Sequence, residues 1–176
     1  MNKQKLYIIT GISGSGKTTI ARALNACDEI AFDSKINTGL YSFVDQFGEV
    51  ATKQYLLDKD WRQQYKWSLD RRVLSDLMRK HSKLKRLFLC GRANIYQYWD
   101  LADKVFLLNI GAKTLLKRLN SESRDNLFAR DKAAQQELVR NLETIQAGLI
   151  KRGAVIIDAE QEIDKIVSQI IANVQR

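Results

Sequence analysis

The feature that most constrains this chain is an eight-residue pattern near its start, Gly11-Ile12-Ser13-Gly14-Ser15-Gly16-Lys17-Thr18. Its spacing is G-x-x-x-x-G-K-T, which is typical of a phosphate-binding loop, or P-loop. Glycines let the backbone curl so that successive N–H groups point at phosphate oxygens. The helix that such a loop opens adds partial positive charge at its N-terminus. The pattern therefore predicts a site for a phosphorylated ligand.

The residues on either side of the loop fit a strand–loop–helix unit. An apolar run, Leu6-Tyr7-Ile8-Ile9, comes directly before it and is typical of a buried parallel strand. After the loop, Ile20, Ala23 and Leu24 recur at helical spacing. This context favours a P-loop over a Gly/Ser-rich turn of no function.

Positions of the loop have predicted roles toward a nucleotide, which we expect to be ATP. Lys17 is predicted to contact the β- and γ-phosphates as a compact point charge. The Thr18 hydroxyl is predicted to bind Mg²⁺. The positions predicted to bind the nucleotide are Gly11, Ser13, Gly14, Ser15, Gly16, Lys17, Thr18 and Thr19, together with Arg118 further along the chain.

Strand-like and helix-like segments alternate along the chain, which predicts an α/β fold with a five-stranded parallel sheet. The predicted strands cover about 5–10, 29–33, 87–90, 105–108 and 155–157. The predicted helices cover about 17–26 and 68–81, a stretch after Gly111, a long stretch that ends at Gly153, and the chain's last segment. Residues 1–176 show no linker or repeat, so we expect a single domain.

Composition limits the class of protein. The chain has 176 residues, of which 45% are hydrophobic and 28% charged, as in ordinary globular domains. No apolar run approaches the roughly 20 residues of a membrane helix, so we expect no membrane partner. The two isolated cysteines, Cys27 and Cys90, fit a reducing cytoplasm, and Cys90 is expected to be a small buried hydrophobe.

The formal net charge is +9, and much of it lies between residues 71 and 86. One interpretation is a nucleic-acid face. The alternative is a solvated helix face in a protein whose ligand is itself polyanionic. The sequence favours the alternative, because it shows neither basic residues interleaved with aromatic ones nor an RNP-like motif.

Two polar positions follow predicted strands, at the sheet edge where ligands of α/β proteins bind. Asp33 could accept the proton of an acceptor hydroxyl or hold Mg²⁺; the alternative is a helix cap or turn carboxylate. Arg92, after Gly91, could clamp a phosphate or carboxylate; the alternative is a surface arginine. We expect both of their strands to lie beside the first one.

Two further sets of residues have an ordinary structural explanation. Trp61, Tyr65 and Trp67 could line an acceptor pocket, but aromatic residues more often pack in a core. His81 is the chain's one histidine and is predicted to close a helix rather than to take part in catalysis.

Taken together, the motifs resemble the small P-loop kinases of the nucleoside-monophosphate-kinase and shikimate/gluconate-kinase type. Within that type the chain is similar to a group of bacterial P-loop ATP-binding proteins. The shared features are G-x-S-G-S-G-K-[ST] at residues 11–18, a tryptophan-bearing segment 61–67, Cys90-Gly91, the strand Asp103 to Leu108, and an R-x-N-x-F pattern at 124–128.

The resemblance implies a three-layer α/β/α P-loop NTPase fold with a helical lid at 118–131 and an acceptor-side segment at 34–81. It also implies an ATP- and Mg²⁺-dependent kinase, a monomer or homodimer, that acts on a small-molecule acceptor. Phosphoryl transfer develops charge on the γ-phosphoryl oxygens, which lid arginines can stabilise. Among Arg118, Arg124 and Arg130, Arg124 is the first candidate; a helix–helix loop with solvated arginines is the alternative.

The chain departs from that family pattern in two respects. Adenylate-type kinases usually end strand three with an aspartate that helps to hold Mg²⁺ through water, and Cys90 occupies that place here. Asp33 is the best substitute. The acceptor-binding motifs of shikimate and gluconate kinases are not matched in full.

Two other functions remain open. The net charge suggests a polynucleotide 5′-hydroxyl kinase, which would bind its substrate with steep salt dependence. The absence of the strand-three aspartate suggests a nucleotide-binding switch protein with little turnover.

Replacing Lys17 by alanine is expected to abolish nucleotide turnover and leave the fold intact. Lys17 lies in a loop and has no predicted core role, and removing one charge from the transferring phosphates should lower kcat at least about 10²-fold. Turnover and circular dichroism of Lys17→Ala measure the two effects. Near-normal turnover in a folded variant would contradict the kinase interpretation.

Overall fold

Strands and helices alternate in the computed structural model, which describes residues 4–33, 39–55, 58–91, 95–121 and 131–175. The strands in these ranges are β1 (Lys5–Thr10), β2 (Ala31–Asp33), β3 (Tyr41–Val44), β4 (Lys66–Leu69), β5 (Arg86–Cys90), β6 (Lys104–Asn109) and β7 (Val155–Asp158). The helices are α1 (Lys17–Ala26), α2 (Lys59–Gln64), α3 (Arg71–Lys80), α4 (Ala112–Leu119), α5 (Lys132–Lys151) and α6 (Ile163–Gln175). Two 3-10 turns cover Ile95–Gln97 and Trp99–Leu101.

A five-stranded parallel sheet forms the centre of the molecule, with strand order β2-β5-β1-β6-β7. The predicted sheet is therefore confirmed. β1 pairs with a strand on each side, and its residues Leu6 to Thr10 are all buried. A near-continuous apolar strand is what a sheet covered on both faces requires.

Side chains of β1 alternate between two hydrophobic clusters, one on each face of the sheet. Tyr7 and Ile9 belong to the first, and Leu6 and Ile8 to the second. The first cluster includes residues of α1, α4 and α6, and the second includes Leu74 of α3. Helices on both faces give the predicted three-layer α/β/α arrangement. In the described part of the chain, no helix is long and apolar enough to cross a membrane.

The order of the strands corrects one expectation. β5 lies beside β1, as predicted, but β2 does not, because β5 separates the two. With three residues, β2 is the shortest strand described, and short strands suit the edge of a sheet. Asp33 therefore ends an edge strand, in register with Cys90.

A second, two-stranded antiparallel sheet was not predicted. β3 pairs with β4, with Tyr41 opposite Leu69 and Phe43 opposite Trp67. The helix predicted over 68–81 is consequently shorter and begins at Arg71. Asp70 ends the strand and starts the helix, because its side chain accepts hydrogen bonds from the first N–H groups of α3.

Tyr41 connects the small sheet to the main one. Its buried hydroxyl donates to the Cys90 carbonyl over 3.3 Å. Burial is the main reason why the pKa of this hydroxyl is raised far above its ordinary value. The ring lies so close to Gly91 that a Cβ there would overlap the hydroxyl oxygen and lie 2.6 Å from Cζ. Only glycine fits beside Tyr41.

Replacing Gly91 by alanine is therefore expected to lower the free energy of unfolding by about 1–3 kcal/mol, the usual cost of overpacking. Chemical denaturation measures the loss. In a Tyr41→Ala background the ring is absent, so the same change should cost much less. An equal cost in both backgrounds would show that the Tyr41–Gly91 contact is not the cause.

Candidate active site

The P-loop connects β1 to α1 at the carboxyl edge of the main sheet. Gly14 and Gly16 have φ angles of 104° and 103°, a left-handed region that favours glycine. Gly16 is also the N-cap residue of α1, and its carbonyl accepts the first helical hydrogen bond, from Ile20 N–H. The loop thus passes directly into a helix N-terminus, which is the arrangement that binds phosphate.

The Lys17 ammonium group lies across the loop. Its Nζ donates to the carbonyls of Gly11, over 2.9 Å, and Ile12, over 2.8 Å. The cation is therefore held beside the backbone that would surround the phosphates. Ser13 and Ser15 lie in the same turn, Ser15 buried and Ser13 half-buried, while Thr19 is exposed on α1.

Thr18 and Asp33 meet at the sheet edge although 15 residues separate them. The Thr18 hydroxyl lies 3.2 Å from Asp33 Oδ1 and 3.3 Å from Oδ2, to which it donates. Asp33 is 3% exposed, so the carboxylate is buried at the end of β2. Its observed position is the end of β2, next to the P-loop.

This pair of oxygen ligands fits Mg²⁺. Neighbouring ligands of an octahedral Mg²⁺ at 2.0–2.1 Å lie roughly 3 Å apart. The Thr18 hydroxyl and the Asp33 carboxylate are 3.2–3.3 Å apart, close to that separation. Mg²⁺ in nucleotide sites takes one or two protein ligands and completes its shell with phosphate and water. The donor set therefore suits a metal that is shared with a nucleotide.

Cys90 lies opposite Asp33 in the sheet and is fully buried, as predicted. Burial is the largest reason why the pKa of its thiol is raised far above the ordinary value, and the nearby Asp33 carboxylate adds to it. The carboxylate at this edge of the sheet is that of Asp33, at the end of β2, whereas β5 ends in a neutral thiol, which is a poor ligand for Mg²⁺.

Arg118 bridges α4, the P-loop and the segment after β7. Its Nη1 donates to the Ser15 carbonyl over 3.2 Å, and its Nη2 donates to the Ala159 carbonyl over 2.7 Å. Gly16 lies directly beneath it, since a Cβ there would be 3.6 Å from Nη1. The guanidinium group is thus fixed against the backbone of the P-loop.

Glu160 fixes the other end of α4. Its carboxylate accepts from Gly111 N–H and from the Thr114 hydroxyl, each over 2.8 Å. These two hydrogen bonds lower the pKa of Glu160, and the one from the Gly111 N–H has the larger effect. Residues 159 and 160 therefore contact both ends of the helix that carries Arg118. Glu160 was not among the predicted residues, although its place just after a strand that ends in Asp158 was a usable signal.

Several predicted residues lie outside the described part of the chain. They are Arg92, Arg124 and Arg130, together with most of the predicted lid at 118–131. Of that lid, the structure describes the end of α4, which includes Arg118, and residues 120, 121 and 131.

The aromatic residues of segment 61–67 pack mainly against one another on the small sheet. Trp67 stacks on Tyr41 with centroids 5.8 Å apart, and Phe43 contacts both Trp67, at 4.7 Å, and Trp61, at 4.9 Å. Trp61 in turn stacks on Tyr65 at 5.1 Å. This agrees with the packing alternative, and through Tyr41 the cluster reaches the edge where Asp33 lies.

His81 closes α3, as predicted. Its backbone N–H donates to the carbonyls of Leu77 and Met78, each over 3.2 Å. Its ring lies 5.7 Å from that of Phe32, between centroids.

A family model and a curated relative match most of this chain. Residues 8–126 match a family described as an AAA domain, which is about two-thirds of the chain. A relative described as a probable gluconokinase of Dictyostelium discoideum is 26% identical over 181 residues. That alignment covers 96% of this chain and 86% of the relative.

Solved structures with the same fold are similar over nearly the whole length. A shikimate kinase from Bacteroides thetaiotaomicron has a TM-score of 0.59 at 15% identity and covers 98% of this chain and 99% of its own. A deoxyadenosine kinase from M. mycoides with bound dATP has a TM-score of 0.55 at 14% identity, and the match covers 97% of this chain and 100% of that one. A gluconokinase from Sinorhizobium meliloti 1021 has a TM-score of 0.52 at 16% identity, and the match covers 100% of this chain and 94% of that one. At these identities the likeness concerns the fold.

The Glu160 contacts predict a pH-dependent stability. Because the folded pKa is lowered, the ionised carboxylate stabilises the native state above the unfolded pKa, and this contribution is lost as the pH falls through the folded pKa. Glu160→Gln should therefore melt at a lower temperature than the wild type at about pH 7, and this difference in melting temperature should narrow as the pH falls below about 4. Differential scanning calorimetry at several pH values measures it. A gap that stays constant with pH would show that the charge of Glu160 does not matter.

Proposed function

The chain belongs to the AAA domain family and has the fold of the small P-loop kinases of the nucleoside-monophosphate- and shikimate-kinase type, and on that basis we propose that it is an ATP-dependent kinase. It transfers the γ-phosphoryl group to a small-molecule acceptor. The proposal treats residues 1–176 as one domain, with the P-loop at 11–18, an acceptor-side segment at 34–81 and a lid at 118–131.

The observation that carries this proposal is the contact between Thr18 and Asp33 beside the P-loop. A hydroxyl from α1 and a carboxylate from β2 meet where the phosphates of a nucleotide on the loop would end. Mg²⁺, when bound there by these two groups, would neutralise charge on the β- and γ-phosphate oxygens. Asp33 thereby takes the role that a carboxylate at the position of Cys90 has in adenylate-type kinases.

The other residues of the site act by position and charge. Lys17 and the loop N–H groups hold the β- and γ-phosphates, and Arg118 holds the nucleotide from the side of α4. Arg124 stabilises the charge that develops on the transferring group, and Arg92 binds the acceptor. Asp33 is also proposed to orient the acceptor hydroxyl, so that attack is in line with the leaving oxygen.

The acceptor is proposed to bind between Asp33, Arg92 and the segment 37–67, which includes β3 of the small sheet. Tyr41 supports this arrangement, because it fixes the small sheet to the end of β5. The relatives suggest which acceptors to test first. They are named for gluconate, shikimate and deoxyadenosine, so a sugar acid, a hydroxy acid and a nucleoside are the primary candidates.

A γ-phosphate transfer screen tests the function. The purified full-length protein is incubated with ATP labelled at the γ-phosphate, Mg²⁺ and one acceptor at a time: gluconate, shikimate, nucleosides, nucleoside monophosphates and a 5′-hydroxyl oligonucleotide. Lys17→Ala is the negative control. We expect transfer to one small acceptor class. Nucleotide binding without transfer to any acceptor would favour the switch-protein alternative.

Replacing Asp33 by asparagine is expected to lower kcat for that acceptor at least about 10²-fold, because it removes a charge that acts in the transition state. ATP affinity should stay within a few-fold, since the loop and Lys17 are untouched. Asp164→Asn, an exposed aspartate in the first turn of α6, is the matched control and should behave as the wild type. Wild-type kcat and KM in Asp33→Asn would remove Asp33 from the site.

A further inference from the structure

An exposed aromatic pair lies in the short segment between β5 and β6. The rings of Tyr96 and Trp99 are nearly parallel, with an interplanar angle of 9° and centroids 6.5 Å apart. Tyr96 is 47% exposed, and Trp99 is half-buried. The kinase site described above uses neither ring.

Two arginines from distant parts of the chain flank this segment. On one side, the guanidinium carbon of Arg152, directly after α5, lies 5.4 Å from the centroid of each ring, at cation–π distance. On the other side, Arg71 at the start of α3 lies 5.1 Å from the Tyr98 centroid and 3.9 Å from the Asp100 carboxylate. The segment is therefore bordered by cationic side chains that are about 80 positions apart in the sequence.

The positive charge continues along α3. Residues 71–86 carry seven Lys and Arg residues and one carboxylate, which is a net charge of +6. This is two-thirds of the chain's net charge of +9. Arg71 pairs with Asp100, Arg79 with Asp76, and Arg86 is neutralised by Glu29. The other four, Arg72, Lys80, Lys83 and Lys85, are exposed and form no ion pair within the part of the chain that the structure describes. We call these four residues, two on α3 and two in the turn that follows it, the α3 basic face.

This face extends away from the P-loop. Asp70, at the start of α3, is hydrogen-bonded to Leu40 near the carboxyl edge of the sheet. The end of α3 lies at the opposite edge, where Gln4, just before β1, donates to the carbonyls of His81 and Leu84. The α3 basic face therefore extends from the end of α3 that carries Arg71, which lies over Tyr98, toward the amino edge of the sheet.

We propose that Tyr96, Trp99 and the α3 basic face form a binding surface for single-stranded nucleic acid. Single strands are bound by a positively charged track for the phosphates together with aromatic side chains on which unpaired bases stack. The sequence has no interleaving of basic and aromatic residues, but tertiary packing places Arg152 over Tyr96 and Trp99 and sets Arg71, at the start of α3, over the neighbouring Tyr98. An anionic membrane would use the charges alone, and a duplex offers no unpaired bases to the rings. The proposal does not rest on the kinase activity.

Fluorescence anisotropy with labelled eight-nucleotide strands tests this surface on the full-length protein. The strands are oligo-dT, oligo-rU and an abasic strand of the same length and charge. We expect at least one base-bearing strand to bind about tenfold more tightly than the abasic strand, because a stacked base contributes about 1–3 kcal/mol. The affinities for oligo-dT and oligo-rU show whether DNA or RNA is preferred. Equal affinity for all three would overturn the proposal.

Two ring variants separate stacking from structure. Tyr96→Ala should weaken binding of the preferred strand about tenfold and leave the abasic strand unchanged, whereas Tyr96→Phe keeps the ring and should bind as the wild type. Phe47→Ala removes an aromatic ring that is 81% exposed on another surface and serves as the control. Equal losses in Tyr96→Ala and Phe47→Ala would contradict the assignment.

Matched charge variants locate the phosphate track. Lys80→Gln/Lys83→Gln should weaken the binding of all three strands. The slope of log affinity against log salt concentration should become shallower by about 1.4, which is about 0.7 for each phosphate that a lysine no longer neutralises. Lys113→Gln/Lys117→Gln removes the same charge from the exposed side of α4 and should leave that slope unchanged. If both pairs changed the slope equally, binding would depend on net charge alone and the surface would not exist.

Discussion

The parallel alignment of the central strands is the constraint on which the rest of this molecule depends. Because β1, β2 and β5 all end at one edge, the P-loop, Asp33 and Gly91 come together although more than 70 positions of sequence separate the outer two. The contact between Thr18 and Asp33 follows directly from it. A carboxylate at the end of an edge strand can thus serve the nucleotide site, while the adjacent strand ends in a buried thiol.

A second group of contacts sets the position of α4. Arg118 and Glu160 connect the helix at both ends to the segment after β7, and Arg118 continues to the P-loop. Since the predicted lid begins in α4, the position of the lid's base depends on hydrogen bonds from the last βα unit. Charge-assisted hydrogen bonds such as these are stronger than neutral ones, so they hold α4 firmly against the P-loop and the last βα unit.

The proposed nucleic-acid surface changes how the net charge of this protein is understood. The sequence favoured a solvated helix face, because no aromatic residue interrupts the basic run at 71–86. In the folded chain, Arg71 lies over Tyr98, and Arg152 lies over Tyr96 and Trp99. The aromatic partners of the basic helix thus come from another segment, and local patterns cannot reveal a surface composed of three separate parts of the chain.

What the sequence determined by itself is whatever depends on near neighbours. The G-x-x-x-x-G-K-T spacing, the apolar runs of the five parallel strands and the position of α1 all follow from local chemistry, and each agrees with the structure. Only the tertiary structure decided the place of β2 at the sheet edge, the pairing of β3 with β4, and the contacts of Arg118 and Glu160. These depend on hydrogen bonds between residues that are 22 or more positions apart, and the free energy of such pairing is set by the whole packed sheet, not by any single segment.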